Sequence, residues 1–398
     1  MTREGYEIFS EAAIGTLTLP NRLVRSATWD PSLFTEHKMT DAVLQLYEEL
    51  ARGGVGLIIT GGFPVIEGEM LNEEAPSYER IEVQGLDTLV DAVHRSGNGC
   101  KVVAQLETGA LDAMPSTIPS PFGEEPPRAL SLREIRKIVD CFIAAIVRMQ
   151  ALGFDGVQLH AAHGGLLSRF LSPYTNRRTD AYGGSVENRV RIVREILSGA
   201  RERVGSFPIL IKVNCTDYVE GGTDIETFPE LAAEIAGLGV DALEISGGMW
   251  ECLVRSEEEL GFPPSPAPES HTHLQRPESQ SYFLPWAERV HLDIPVILVG
   301  GNRDIERLEA LVRQRTVDFV ALCRLRICEP GLPKRWREGR EDPFPACISC
   351  NACIYYLIVC PGRETPDVVT CLYKKDPQAY SQALAWLASW VKENVTAD

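Results

Sequence analysis

The segment His160-Ala-Ala-His163-Gly-Gly carries two imidazoles three residues apart. Both rings can aim at one atom and donate hydrogen bonds to a carbonyl or an anion. A metal site is the competing reading, but no obvious carboxylate companion stands close in sequence. A structural role for one of the rings is a third. Further along, Gly300-Gly301 lets backbone N–H groups approach an anion, and Arg324 can hold one bidentately. Together these point to a phosphorylated ligand; the alternative makes the glycines plain turn residues. The third chemical group is thiol. Of eleven cysteines, six are scattered as far as Cys328 and five fall between Cys347 and Cys371. In a reducing compartment such clustering favours metal ligation or redox chemistry over a disulfide framework.

These residues need a scaffold, and the hydrophobic pattern supplies one. Short, mostly apolar runs recur at Leu23–Ser26, Val55–Thr60, Val102–Leu106, Gly156–His160, Ile209–Val213, Ala242–Ile245, Pro295–Val299 and Phe319–Leu322. Continuous apolarity is what strands covered on both faces require. Stretches of helical period follow them. Ser131-Leu-Arg-Glu134 is a capping box opening a helix that Gly153 stops, and Ser185 with Glu187 opens another that runs to Val204. Asp41–Arg52, Phe228–Leu238, Tyr282–Val290 and Asp304–Gln314 read as further helices. Eight strand-then-helix units fit a (β/α)8 TIM barrel over residues 1–341, followed by a short cysteine-rich C-terminal extension at 342–398 with a helix near Pro377–Asn394. An open doubly wound sheet is the alternative, but Ser26-Ala-Thr-Trp-Asp30 is not the Gly-rich turn it would want.

Barrels keep their chemistry at the C-terminal strand ends. Those ends carry Ser26 and Thr28, Gly61-Gly62, Gln105, the two histidines, Lys212 and Asn214, Gly247-Gly248, Gly300-Gly301 and Arg324. The long Glu251–Gln280 loop lies on the same face. The formal net charge of −17 argues against nucleic acid or an anionic membrane as partner. No apolar run reaches spanning length, and the N-terminus lacks a signal-peptide layout. A cytoplasmic protein is expected.

The run from His160 to Pro173, with Asn176-Arg-Arg-Thr-Asp-Ala-Tyr-Gly-Gly-Ser-Val-Glu-Asn-Arg189, closely resembles the signature of the old yellow enzyme family. Leu19–Thr28 and Arg52–Thr60 extend the likeness over about residues 6–340. The resemblance implies an FMN-dependent ene-reductase. It uses NAD(P)H as transient co-substrate and acts on a small molecule with an activated alkene, such as an enone or enoyl-thioester. By the same resemblance Ser26, Ala27, Thr28, Gly62, Gln105 and Lys212 would hold the flavin ring. Gly300, Gly301, Cys323 and Arg324 would hold its phosphate. His160 and His163 would grip the substrate carbonyl. Members of the family often associate, so a homo-oligomer is expected.

Several positions depart from the family pattern. Gly165 stands where the proton-donating tyrosine is usual, Lys212 replaces an arginine, and Cys323 replaces a glycine. Gln105-Leu-Glu-Thr108 lacks the usual histidine, and Trp29 could narrow the pocket beside the flavin. The α-carbon proton must then come from water, Tyr174, or the long loop through Glu251 or His273. Cys347-Ile-Ser-Cys350-Asn-Ala-Cys353 with Cys371 resembles the iron–sulfur segment of the dienoyl-CoA reductase and trimethylamine dehydrogenase branch. That branch has one more residue between its second and third cysteines and a shorter gap to the fourth, and Cys360 competes for the fourth place. A [4Fe-4S] cluster, a Cys₄ zinc and free thiols are the three readings. A cluster would need an external electron-transfer partner. Two further functional readings stand beside the ene-reductase: an FMN dehydrogenase oxidising a small amine, and a barrel without turnover.

Overall fold

The computed structural model describes residues 2–32, 39–66, 84–96, 98–109, 111–123, 125–340, 344–359 and 366–395. Eight parallel strands close into a barrel: β1 Leu23–Arg25, β2 Leu57–Pro64, β3 Lys101–Glu107, β4 Gly156–Ala161, β5 Ile209–Asn214, β6 Ala242–Ser246, β7 Val296–Leu298 and β8 Phe319–Leu322. The pairing of β8 with β1, through Val320–Leu23, Ala321–Val24 and Leu322–Arg25, closes the ring and excludes the open sheet.

Side chains alternate along each strand. One set, including Val24, Leu57, Val103, Leu210, Ile297 and Phe319, fills the barrel interior. The Ala12–Ile14/Leu17–Leu19 hairpin adds Ile14, Leu17 and Leu19 to that cluster and plugs the N-terminal end. The other set packs outward against the helices. The interior therefore has room for chemistry only at its C-terminal mouth.

Most helices follow their sequence signals. Ser131 caps Leu132–Ala151 with the full capping box, Asp304 caps Ile305–Arg313, and Asp41–Arg52 and Pro377–Asn394 have the expected limits. Two differ. The helix expected over Tyr282–Val290 shrinks to Leu284–Ala287, because Ser281 adopts φ 51° and the Tyr282 N–H donates to the Gly300 carbonyl. A helix at Leu86–His94 has little local signal, since its N-cap is Gly85 with no capping side chain. The long loop after β6 is partly ordered into short turns at Trp250–Cys252, Glu257–Leu260 and Pro277–Ser279.

In the C-terminal extension, Ala352–Val359, Leu372–Lys375 and Pro377–Asn394 pack around a small core of Ala352, Tyr355, Leu372, Ala379 and Ala383. Residues 341–343, which contain the expected boundary, lie outside the described residues, as does Cys360. Among the described residues, no helix is long and apolar enough to cross a membrane.

Candidate active site

The inward-facing strand residues change from apolar to polar one step below the mouth. Gln105 Nε2 donates to Gln158 Oε1 at 2.8 Å, and Gln158 Nε2 donates to Glu244 Oε2 at 2.7 Å. Ser26 Oγ donates to Glu244 Oε1 at 2.6 Å. Lys212 Nζ donates to Ser26 Oγ at 2.9 Å and stands 3.2 Å from Glu244 Oε1. Glu244 is fully buried and Lys212 nearly so. Charges this deep persist only because each is paired and hydrogen-bonded. The result is a rigid polar floor joining β1, β3, β4, β5 and β6.

Above this floor stand the two histidines. His163 adopts φ 57°; its backbone N–H donates to Asn214 Oδ1 at 3.0 Å, and its Nε2 lies 2.7 Å from Ser246 Oγ. The His160 ring meets it edge-on, centroids 5.2 Å apart, and His160 Nδ1 is buried without a hydrogen-bond partner. Burial, assisted by the Lys212 charge, pushes His160 down to about 3. Burial also lowers His163 well below its ordinary value, with His160 and Lys212 adding to the effect. Both rings are therefore neutral near pH 7, and His160 Nδ1 is a buried polar atom whose hydrogen-bonding capacity is unmet.

Glu251 does not join them. Its Oε1 is 2.6 Å from Arg169 Nη1 with both side chains buried, and Arg169 Nε donates to the Gly164 carbonyl at 2.8 Å. The pair pins the His163-Gly164-Gly165 turn from behind. Arg169 lines the cavity whereas Glu251 does not, so the proton-donor role expected of Glu251 finds no support in this arrangement. Tyr174 and His273 also lie outside the cavity wall, and His273 is exposed.

One cavity of about 750 Å³ occupies the mouth, a size typical of cofactor and small-molecule sites. Ser26, Ala27, Thr28, Gly62, Gln105 and Lys212 line it, and so do His160 and His163. At its other end lie Gly300, Gly301, Cys323 and Arg324. Gly300 and Gly301 have φ of 103° and 72°, and a Cβ on either would meet the Tyr282 or Phe283 ring within 2.8 Å. Only glycine fits there, because the rings fill the side-chain positions, and both residues line the cavity through backbone alone. Arg324 Nη1 donates to the carbonyl of His271 at 2.7 Å and to Asn351 Oδ1, leaving other N–H groups of its guanidinium for an anion. Cys323 Sγ contacts Thr28 Oγ1 at 3.3 Å, tying β8 to β1.

Sequence reasoning passed over several residues here. Glu244 and Gln158 read simply as strand residues; only the closed ring brings them under Lys212. Arg303, also on the cavity wall, donates to Ser349 Oγ and to the Cys347 carbonyl, both at 2.8 Å. Half-exposed Trp250 lies across Gly164 at the entrance. Glu107, at the end of β3, lines the cavity as well; its position two residues after Gln105 was the available signal.

The four tail cysteines Cys347, Cys350, Cys353 and Cys371 line a second, small cavity of about 20 Å³, and Arg324 lines both cavities. That volume admits about one water. Among the described residues, no three potential ligands stand close enough to hold a metal ion. The donor type fits a thiolate-bound metal, whereas the present spacing does not. Cys328, from the barrel, joins the group: its hydrogen bond to Cys371 lowers that thiol below its ordinary value.

The comparisons with known proteins agree with this geometry. The model of the NADH:flavin oxidoreductase / NADH oxidase family matches residues 7–343. An NADH oxidase from Thermoanaerobacter brockii is 33% identical over 358 residues, covering 86% of this chain and 52% of that protein. A 2-naphthoyl-CoA reductase structure superposes with a TM-score of 0.76 at 25% identity, covering 95% of this chain and 58% of that one. A morphinone reductase in complex with tetrahydroNAD gives a TM-score of 0.61 at 25% identity, covering 86% and 93%. The chain thus spans about half the length of that NADH oxidase. With the closed barrel and the signature from His160 to Arg189, these matches bear out the old yellow enzyme resemblance: the chain belongs to the NADH:flavin oxidoreductase / NADH oxidase family.

Proposed function

We propose that this chain is the FMN-binding barrel of an NAD(P)H-dependent oxidoreductase that reduces an activated C=C bond, as in an enone or enoyl-thioester. The observation that carries this reading is the neutral His160–His163 pair on the wall of a cavity whose floor is the Lys212–Glu244 layer and whose far end is the glycine cradle. When bound, FMN supplies hydride exchange between a nicotinamide and the alkene.

The remaining work falls to the protein. Ser26, Ala27, Thr28, Gly62 and Gln105 would hold the ring system, with Lys212 offering a cation beneath it. Gly300, Gly301, Cys323, Arg324 and also Arg303 would hold the phosphate. His160 and His163, as neutral donors, would bind the substrate carbonyl oxygen and stabilise the negative charge that develops there as the β-carbon is reduced. Trp250 at the entrance suits a planar or acyl substrate that stacks on an indole. The four tail thiols are proposed as ligands of an iron–sulfur cluster or zinc once their side chains converge; no step of the reduction is assigned to that group.

An anaerobic absorbance titration tests the reading. The purified protein should carry a yellow chromophore that heat releases as FMN. NADH or NADPH should bleach it, and an enone or enoyl-thioester should restore it. Colourless protein that takes up no added FMN would overturn the proposal. A flavin bleached by a small amine and never reoxidised by an alkene would replace it with the amine dehydrogenase. Iron and zinc analysis of anaerobically purified protein decides the tail, and absence of both metals removes the ligation reading.

A further inference from the structure

Reducing a polarised alkene requires a proton at the α-carbon as well as hydride at the β-carbon. The two positions at which the family resemblance expects proton-bearing side chains read Thr108 and Gly165. Most other candidates on the cavity wall are already committed. The histidines are neutral and are already assigned to the carbonyl oxygen. Lys212 is held by Ser26 and Glu244. Tyr282 donates to the Glu269 carbonyl at 2.7 Å, and burial pushes its hydroxyl up to about 12. Guanidinium groups do not release protons. Two carboxyls are left. Glu269 has its backbone carbonyl bound by Tyr282 and its carboxyl under the Arg324 charge, at the end assigned to the phosphate.

Glu107 lies at the other end. It is two residues beyond Gln105 on β3 and so shares its inward direction, one layer nearer the mouth. Its carboxylate rests on the bare face of Gly62: a Cβ there would lie 1.5 Å from Glu107 Oε1. Any larger residue at position 62 would displace it. Among the described residues the carboxylate makes no hydrogen bond, while the Lys212 charge acts on it through space. An unengaged carboxyl on a substrate-sized cavity with two carbonyl-binding histidines is what general acid catalysis requires.

We propose that Glu107 is the acid that protonates the α-carbon of the substrate. In this step the Glu107 O–H bond breaks and a C–H bond forms from the electron pair of the enolate that His160 and His163 stabilise. The carboxylate left behind regains its proton from water at the cavity mouth. The two electrons enter separately, as hydride at the β-carbon, drawn from NAD(P)H through the flavin. Burial supports this role by pushing the Glu107 carboxyl up to about 7, against the opposing pull of Lys212, so both acid and base forms are present near neutral pH. The inference rests on the ene-reductase reading given above.

The test compares FMN-loaded wild type, E107Q and E107D by anaerobic stopped flow, following flavin absorbance in each half-reaction. Normalised to reduction by NAD(P)H in the same sample, reoxidation by an activated alkene should fall by about 10²-fold in E107Q. Its pH profile should lose an inflection near 7 that E107D retains. In flavin-free protein, an infrared carboxylic acid band titrating near 7 should be present in wild type and missing from E107Q, whether or not that variant holds flavin. Reoxidation of E107Q within threefold of an active wild type, with an unchanged pH profile, removes Glu107 as the acid and leaves the ene-reductase standing. A wild type whose reduced flavin no alkene reoxidises overturns both. Weaker binding of cationic substrates with unchanged reoxidation would make Glu107 a binding group and overturn the acid role.

Discussion

The barrel mouth and the cysteine extension sit side by side but are built on different principles. At the mouth, each polar side chain projects from a strand end whose direction is set by the closed sheet, and the floor residues hold one another through five hydrogen-bonded or ionic contacts of 2.6 to 3.2 Å. In the extension, two short helices and the 18-residue Pro377–Asn394 helix share a core of five buried residues, and the loop bearing the thiols turns through Ser349 and Asn351 at φ 56° and 61°. Left-handed backbone at non-glycine residues is uncommon and persists where surrounding contacts enforce it. The floor is thus ordered by the closed sheet and its own hydrogen bonds, whereas the thiol loop, like His163 at φ 57°, takes its conformation from neighbours. Preorganisation belongs to the first region, and ligand-dependent assembly is expected of the second.

The largest effect that would sharpen this contrast is at the floor. Lys212→Ala leaves Glu244 buried without its cation, and chemical denaturation should show a loss of about 3–5 kcal/mol together with loss of retained flavin. A cost near zero would mean the floor is looser than its contacts indicate. Next, the double variant His160→Ala/His163→Ala should weaken a phenolic inhibitor by about 1.5–3 kcal/mol, more than tenfold in Kd by calorimetry, in flavin-loaded protein. Unchanged phenol affinity would remove the carbonyl-binding role. Gly300→Ala meets both a φ of 103° and ring atoms at 2.6 Å, and should cost about 1–3 kcal/mol with reduced flavin content.

A smaller effect comes from pH. His160 and His271 are each lowered to about 3 by burial, with lesser contributions from Lys212 and Arg324 respectively. Between about pH 6.5 and 3 the unfolded chain binds protons at these rings and the folded protein does not, so stability falls as pH falls. Each ring contributes a slope of up to about 1.4 kcal/mol per pH unit. His271→Asn should flatten the acid limb of a stability–pH curve measured against wild type. The smallest effect is expected in the extension: Cys350→Ser should leave the barrel transition within about 0.5 kcal/mol while making the tail easier to proteolyse. A large shift of the barrel transition would show that the two regions fold as one.

The strands and most helices were legible because their signals are local: apolar runs bounded by turns, the Ser131–Glu134 capping box, and the Asp304 cap. The strand-end residues of the cavity were legible once eight units implied a barrel, since the fold then dictates where those ends converge. What could not be read depended on closure. Glu244 is a polar interruption in an apolar run until β6 is set beside β5, where it becomes the partner of Lys212. Glu251 looked available from sequence because nothing local reveals Arg169, eighty-two positions earlier, as its partner. Cys328 seemed one of the scattered thiols until the extension folded back to put Cys371 against it.

Arg324 forms part of the wall of both cavities, and neighbouring Arg303 reaches from one to the loop that borders the other. A phosphoryl group at the glycine cradle and thiolates on the far side would therefore draw on the same positive charge. Two such groups would be coupled, and linkage requires the coupling to be mutual. Filling either site would then change the grip on a group at the other by an equal factor, carried through a single guanidinium.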